Sequence, residues 1–356
     1  MEVDLENVST TIAHVENCTH GETEGPVVNL SPHFVIDQKN ETLDQSFSWM
    51  DQVKYIRETS KLPEPERPKG IQGPIILDAY NELGGVSNAT EMWKIIKKGW
   101  SLRENGQAEL SQKTLSGYSR YGYEDEIKLE NILYDFLAQM LMPRKMQLFY
   151  DGLEFIKQAR ETNGEEFFRF REFYVNEIRS DNLRRYLEIL SEYFKGYSEY
   201  DQAILYVKNG APVPDGCIAT SSGFKTTKMF YGNAFEHYTS NISTLACINN
   251  ILNGRKFDQF KNMDLKKYLT INKANRANPI KENQLLSGFC NCLDSTLRNS
   301  SHHGALILVK KRRYIEYRSG GTGAKREMPY SMYIEMCNDI ALTSFALLML
   351  ELVIGL

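Results

Sequence analysis

The thirteen residues 129-LENILYDFLAQML-141 decide how the rest of this chain is read. Leu129, Ile132, Leu133, Phe136, Leu137, Met140 and Leu141 fall three or four apart. That spacing puts one apolar stripe along a helix, with polar residues on the other side. Such a helix needs a partner for its stripe, and the sequence that follows supplies several. Pro143 ends or kinks the helix, because its ring clashes with the preceding turn and it has no N–H to donate.

Working outward toward the C-terminus, the pattern stays helical. Lys145–Arg160 and Glu165–Ile178 are predicted helices, separated by the turn pair Asn163-Gly164. Asp181 is a predicted cap for Leu183–Phe194. The segments 211–216 (APVPDG) and 221–223 (SSG) read as turns. Thr226–Leu252 reads as one long helix closed by Asn253-Gly254, and Leu265–Asn275 as a shorter one. Glu282–Ser300 is the next predicted helix, with Leu286, Phe289, Leu293 and Leu297 on its apolar face. The aromatic residues from Phe167 to Phe194 fall at mixed helical spacings, which is the signature of packing between helices. After Gly304 the period changes: Ala305–Val309 and Tyr314–Arg318 read as two strands joined by Lys310–Arg313. Ser319–Gly323 is a Gly-rich loop, and Tyr330–Leu356 is the last helix. No fixed-period repeat is present.

Working toward the N-terminus, the pattern weakens. Residues 1–45 are an acidic, loosely ordered leader, with one short strand expected at Val27–Leu30 or Phe34–Ile36. Residues 46–120 form a small mixed region. It holds helix candidates at Ser46–Thr59 and Asn88–Lys98, a stiff proline-rich linker at Leu62–Pro68, an apolar run at Ile71–Tyr80 and a polar loop at Gln107–Tyr121. Residues 121–356 are the helical region. The expected fold class is therefore mainly α: a helical bundle with a short β-hairpin near its C-terminal end, plus the small mixed N-terminal region.

Composition narrows the function classes. The chain has 356 residues, 42% of them hydrophobic, enough for a sizeable core. The formal net charge is −4, so the chain is not coated with positive charge. The charge is uneven, however. Residues 1–50 carry nine Asp or Glu against the single Lys39. Six cysteines in this length point to a reducing, cytoplasmic compartment rather than a disulfide scaffold. Cys290 and Cys292 with His302 and His303 match no common zinc spacing, so no metal and no cofactor is expected. The stretch Ile340–Leu356 is almost wholly apolar but carries Glu351 and spans only 17 residues. A buried core or interface helix is expected there, not a membrane span.

The chemistry concentrates at 298-RNSSHHG-304. A guanidinium can hold a phosphate with its planar fork, and an imidazole can move a proton near neutral pH. In an ideal helix Arg298 and His303 lie about 140° apart, while His302 lies nearly above Arg298. Unwinding at Gly304, or sharing of the site across a two-fold axis, changes that relation. From Arg298 to Arg326 there are eight Lys or Arg against Glu316 alone. Lys310, Lys311, Arg312, Arg313, Arg318, Lys325 and Arg326 are the candidate RNA-binding residues, through phosphate neutralisation.

The pattern Arg298-Asn299-x-x-x-His303 resembles the R-N-x-x-x-H motif of the HEPN superfamily, helical proteins that include RNA-cleaving toxins and anti-phage effectors. The resemblance covers about residues 227–356, and the strand pair departs from the plainest four-helix form. It implies a metal-independent endoribonuclease acting as a homodimer with two motifs facing one cleft. It further implies that Arg298 binds the scissile phosphate, that His303 is general acid or base, and that Asn299 orients the two, with His302 as possible support. RNA is the expected partner, with an antitoxin or regulatory protein possible and no membrane. The alternative is a non-catalytic helical module that binds RNA or protein and keeps the motif as structure.

Overall fold

The computed structural model describes residues 2–4, 9–11, 89–118, 128–213, 217, 219–221, 223–309, 313–319 and 323–355. The expectations for 27–30, 34–36, 46–59, 62–68 and 71–80 lie outside them. In the leader, β1 (Glu2–Asp4) pairs antiparallel with β2 (Ser9–Thr11), where no strand was expected.

The helices follow in chain order: α1 (Ala89–Glu104), α2 (Ala108–Leu115), α3 (Leu129–Leu141), α4 (Gln147–Thr162), α5 (Gly164–Phe173), α6 (Arg179–Lys195) and α7 (Tyr197–Lys208). Then come α8 (Phe230–Asn241), α9 (Ser243–Leu252), α10 (Ser295–His302) and α11 (Tyr330–Gly355). A small antiparallel sheet in the order β3 (Ile307–Val309), β4 (Tyr314–Tyr317), β5 (Arg326–Pro329) lies between α10 and α11. The fold is mainly helical with that one small C-terminal sheet.

The centre is α11. It is long and apolar enough to cross a membrane by length and composition, yet 89% of that stretch is buried inside the bundle. It packs against α3, α4, α6, α7 and α8, and a helix apolar all round is what a bundle centre requires. Two of its buried polar residues, Asn338 and Glu351, are each held by several partners. Asn338 accepts from Tyr193 Oη at 2.6 Å and donates to the carbonyl of Tyr200 at 2.7 Å. Glu351 accepts from Tyr174 Oη, Asn182 Nδ2 and Thr244 Oγ1 at 2.8–3.0 Å. Burial pushes the Glu351 carboxyl up to about 7, and those donors only partly offset it. Trp93 of α1 stacks on Phe136 of α3 and Phe194 of α6, so α1 shares this core.

Several boundaries differ from the sequence reading, each for a local reason. The predicted helix Glu282–Ser300 is only its last two turns, α10. Residues before it form turns and a 3-10 segment, Ser287–Cys290, and Asp294 starts the helix by accepting from the N–H groups of Thr296 and Leu297. The predicted helix at Leu265–Asn275 reduces to single turns, Leu265–Tyr268 and Lys273–Asn275. Asp181 caps nothing. The chain runs from α5 into α6 through a π-helical turn, Tyr174–Ile178, and Asp181 instead pairs with Arg184 and Arg185. The helix expected over Thr226–Leu252 is jointed at Ile242. The expected loop at Gln107–Tyr121 contains α2, which packs on α1 where a Gly99 Cβ would strike Leu115. The expected two-stranded hairpin has a third strand, β5.

Candidate functional site

α10 is fixed at both ends. At its start, beside the Asp294 cap, Tyr231 Oη of α8 donates to the Cys292 carbonyl and accepts from the Asp294 N–H, each at 2.7 Å. At its end, Gly304 takes φ +70° and the Ala305 N–H returns to the Ser300 carbonyl at 3.0 Å. That is a glycine-terminated helix end, which favours a residue free of a Cβ. Between the ends, α10 lies close against α8 at Gly232. A Cβ there would fall 2.9 Å from Ser301 Cβ and 3.1 Å from His302 Nε2.

On this short, pinned helix the motif residues separate into distinct environments. Arg298 is partly buried, its side chain 28% exposed. Its Nε and Nη2 both donate to Glu236 of α8, and its Nη1 donates to Asn299 Oδ1 at 2.7 Å. Asn299 Nδ2 in turn donates to Ser319 Oγ at 3.0 Å, and Ser300 Oγ donates to the Arg318 carbonyl at 2.6 Å. The exit of β4 is thereby tied to the motif. His303 is the first residue past the helix. Its N–H donates to the Asn299 carbonyl at 3.0 Å, and its exposed imidazole has no hydrogen-bond partner among the described residues. His302 is exposed over Gly232. The motif residues share one helix end, but Arg298 bonds to Glu236 and Asn299, not to either imidazole.

The candidate RNA-binding residues scatter. Lys310, Lys311 and Arg312 lie outside the described residues. Arg313 is exposed at φ +54°, and its carbonyl accepts from the Tyr330 N–H at 2.9 Å. Arg318 and Arg326 are exposed near the sheet end that meets α10. Lys325 pairs with Glu316 at 2.8 Å and with Glu327 at 3.4 Å, so its charge is locally balanced.

Cys290 and Cys292 do not form a thiolate pair. Burial pushes the Cys290 thiol up to about 11 and holds the Cys292 thiol still higher. Among the described residues, no group of three His, Cys, Asp or Glu is placed to hold a metal ion.

The sequence reading missed the residues that face Arg298 from other elements. Glu236 is 62 residues away in the chain. Lys273, in the 3-10 turn, donates to Ser240 Oγ and, at 3.3 Å, to the Glu236 carbonyl. One residue further along α8, His237 Nε2 lies 3.0 Å from Glu188 of α6. Burial lowers its pKa, with Arg185 and Lys273 adding to that effect against Glu188 and Glu192. The local sequence signal is weak: Glu236 and His237 are polar residues within a helix otherwise predicted as core. No family model, no curated protein and no solved structure matches this chain.

Proposed function

We propose that this chain is a metal-independent endoribonuclease of the toxin or anti-phage defence type. In this reading it cuts RNA in a cleft formed between two copies. The RNA supplies its own nucleophile: the ribose 2′-oxygen attacks the adjacent phosphorus, the bond to the 5′-oxygen breaks, and a 2′,3′-cyclic phosphate results. His303 takes the 2′-hydroxyl proton or gives one to the leaving oxygen. Arg298 stabilises the charge that grows on the phosphoryl oxygens. Arg313, Arg318 and Arg326 guide the strand electrostatically. Cytoplasmic location and an antitoxin or regulatory partner belong to the same proposal.

The observation that carries this reading is the central position of Asn299. Its side-chain oxygen receives Arg298, its side-chain nitrogen reaches Ser319 beside Arg318, and its backbone carbonyl receives the His303 N–H. One residue thus links the Arg298 guanidinium, the turn that carries His303 and the end of β4. The imidazole is exposed, so a substrate proton can reach it.

A specific observation favours the second reading, a non-catalytic module with the motif kept as structure: Glu236 occupies two donors of Arg298. In the catalytic reading, Glu236 orients the guanidinium and leaves the remaining N–H groups for phosphate. Cleavage of single-stranded RNA in the presence of EDTA separates the two readings. Arg298→Ala and His303→Ala should each lower the rate by about 10²-fold or more with folding unchanged. Equal RNA binding by all three proteins, with no cleavage by the parent, sinks the catalytic reading.

A further inference from the structure

The C-terminal half of α8 gathers cations that the motif does not include beside the motif's Arg298. Arg185 comes from α6, Lys273 and Arg276 from the turn after residue 272, and Arg298 from α10. Arg185, Lys273 and Arg298 reach residues 236–241 of α8. Arg298 bonds Glu236, Lys273 bonds the Glu236 carbonyl and the Ser240 hydroxyl, and Arg185 Nη1 reaches Asn241 Oδ1 at 3.3 Å.

Four carboxylates, Asp181, Glu188, Glu192 and Glu236, lie along the same stretch, but they do not pair with every cation. Glu236 pairs with Arg298, and Asp181 lies 3.7 Å from Arg185. Lys273 and Arg276 have no carboxylate partner among the described residues. The Arg276 Nη2 donates to the Leu269 carbonyl, and its Nε is buried with no hydrogen-bond partner among the described residues. Arg276 as a whole is only 8% exposed. Desolvation, with Arg276, Arg185 and Arg298 nearby, holds the Lys273 amine down at about 8, although Glu236 pulls it up. Partly buried cations without a direct ion pair carry a cost that a bound anion would lower.

We propose that Lys273 and Arg276, flanked by Arg185, form a subsite for a phosphate of an RNA strand whose scissile phosphate lies on Arg298. This rests on the reading of Arg298 and His303 as an RNA-cleaving pair and extends it to a named path for the strand across α8. Lys273 supplies a point charge; Ser240 and the Glu236 carbonyl hold its amine in place and leave one N–H for a phosphate oxygen. Arg276, itself buried, adds positive charge close to the Lys273 amine. The subsite reads backbone, not base, so it sets affinity and register without sequence preference.

The test uses the full chain and a fluorescent 2′-O-methyl RNA oligonucleotide, which binds but offers no nucleophile. Anisotropy titrations are run across a series of NaCl concentrations with the parent, Lys273→Gln and Lys273→Arg, and thermal melts check that each variant folds. Lys273→Gln should weaken binding several-fold and make the salt slope shallower by about 0.7, one single-strand phosphate contact. Lys273→Arg should restore most of both. A folded Lys273→Gln protein that binds with the parent's affinity and slope overturns the subsite, even if RNA cleavage by Arg298 and His303 is intact. Loss of binding in Lys273→Gln, with no cleavage of ordinary RNA by the parent, keeps the subsite and removes the cleavage reading. A parent that ignores RNA but binds polyglutamate through Lys273 overturns the subsite in favour of an acidic protein partner.

Discussion

Arg298 shows how much a single side chain's neighbours decide. On a free helix surface its guanidinium would be a mobile charge. Here Glu236 and Asn299 hold it in one orientation, and holding a charge before the reaction is the main source of electrostatic catalysis. Glu236→Gln should keep the helix contacts but loosen the clamp. In the catalytic reading the loss appears in kcat more than in KM, and steady-state kinetics would show that split. Glu351 offers a separate residue-scale test, independent of function. Its carboxyl is raised to about 7 in the folded bundle, so between about 4.5 and 7 the folded state holds more protons than the unfolded chain. Stability must therefore fall as pH rises through that window, by an amount on the order of a few kcal/mol. Glu351→Gln should flatten the dependence, and urea denaturation at the two ends of the window would show it. None of these partnerships was legible in the sequence. Arg298 and Asn299 could be picked out from their own types, but Glu236, Ser319 and Lys273 meet them only through the fold.

At the scale of elements, the motif depends on how α10 is held. Replacing Asp294 with Ala removes the oxygen that satisfies the Thr296 and Leu297 N–H groups and should cost about 1 kcal/mol, read from the melting temperature. Gly232→Ala places a methyl where Ser301 and His302 already lie, so α8 and α10 must part. The expected result is lower stability together with an exposed, mobile motif, seen as faster amide exchange over 295–303. The apolar stripe of α3 and the wholly apolar α11 were readable because burial on one face, or on all faces, leaves a periodic trace. α10 was overextended for the converse reason. Leu286 and Phe289 are buried from turns that happen to match helical spacing. The strand β5, Arg326–Pro329, was illegible because its charged and proline residues carry no strand propensity, and only pairing with β4 makes it a strand.

For the whole molecule, α11 and its surrounding helices form a scaffold, and the motif lies on its surface rather than in its core. Leu348 and Phe345 are fully or almost fully buried; truncating Phe345 to Ala should destabilise by roughly 3–5 kcal/mol while leaving any residual cleavage per folded molecule unchanged. The proposed cleft between two copies adds an association step, so specific activity should rise with protein concentration in parallel with dimer content by sedimentation. The measurement that reaches the centre of the account is the chemistry of the cut end. Single-stranded RNA is incubated with the parent chain and with His303→Ala in EDTA, and the fragments are analysed by mass spectrometry. The account predicts fragments ending in a 2′,3′-cyclic phosphate from the parent, almost none from His303→Ala, and no cutting where the ribose carries a 2′-O-methyl group. Fragments that form equally without His303, or that arise from 2′-O-methyl RNA, would contradict it.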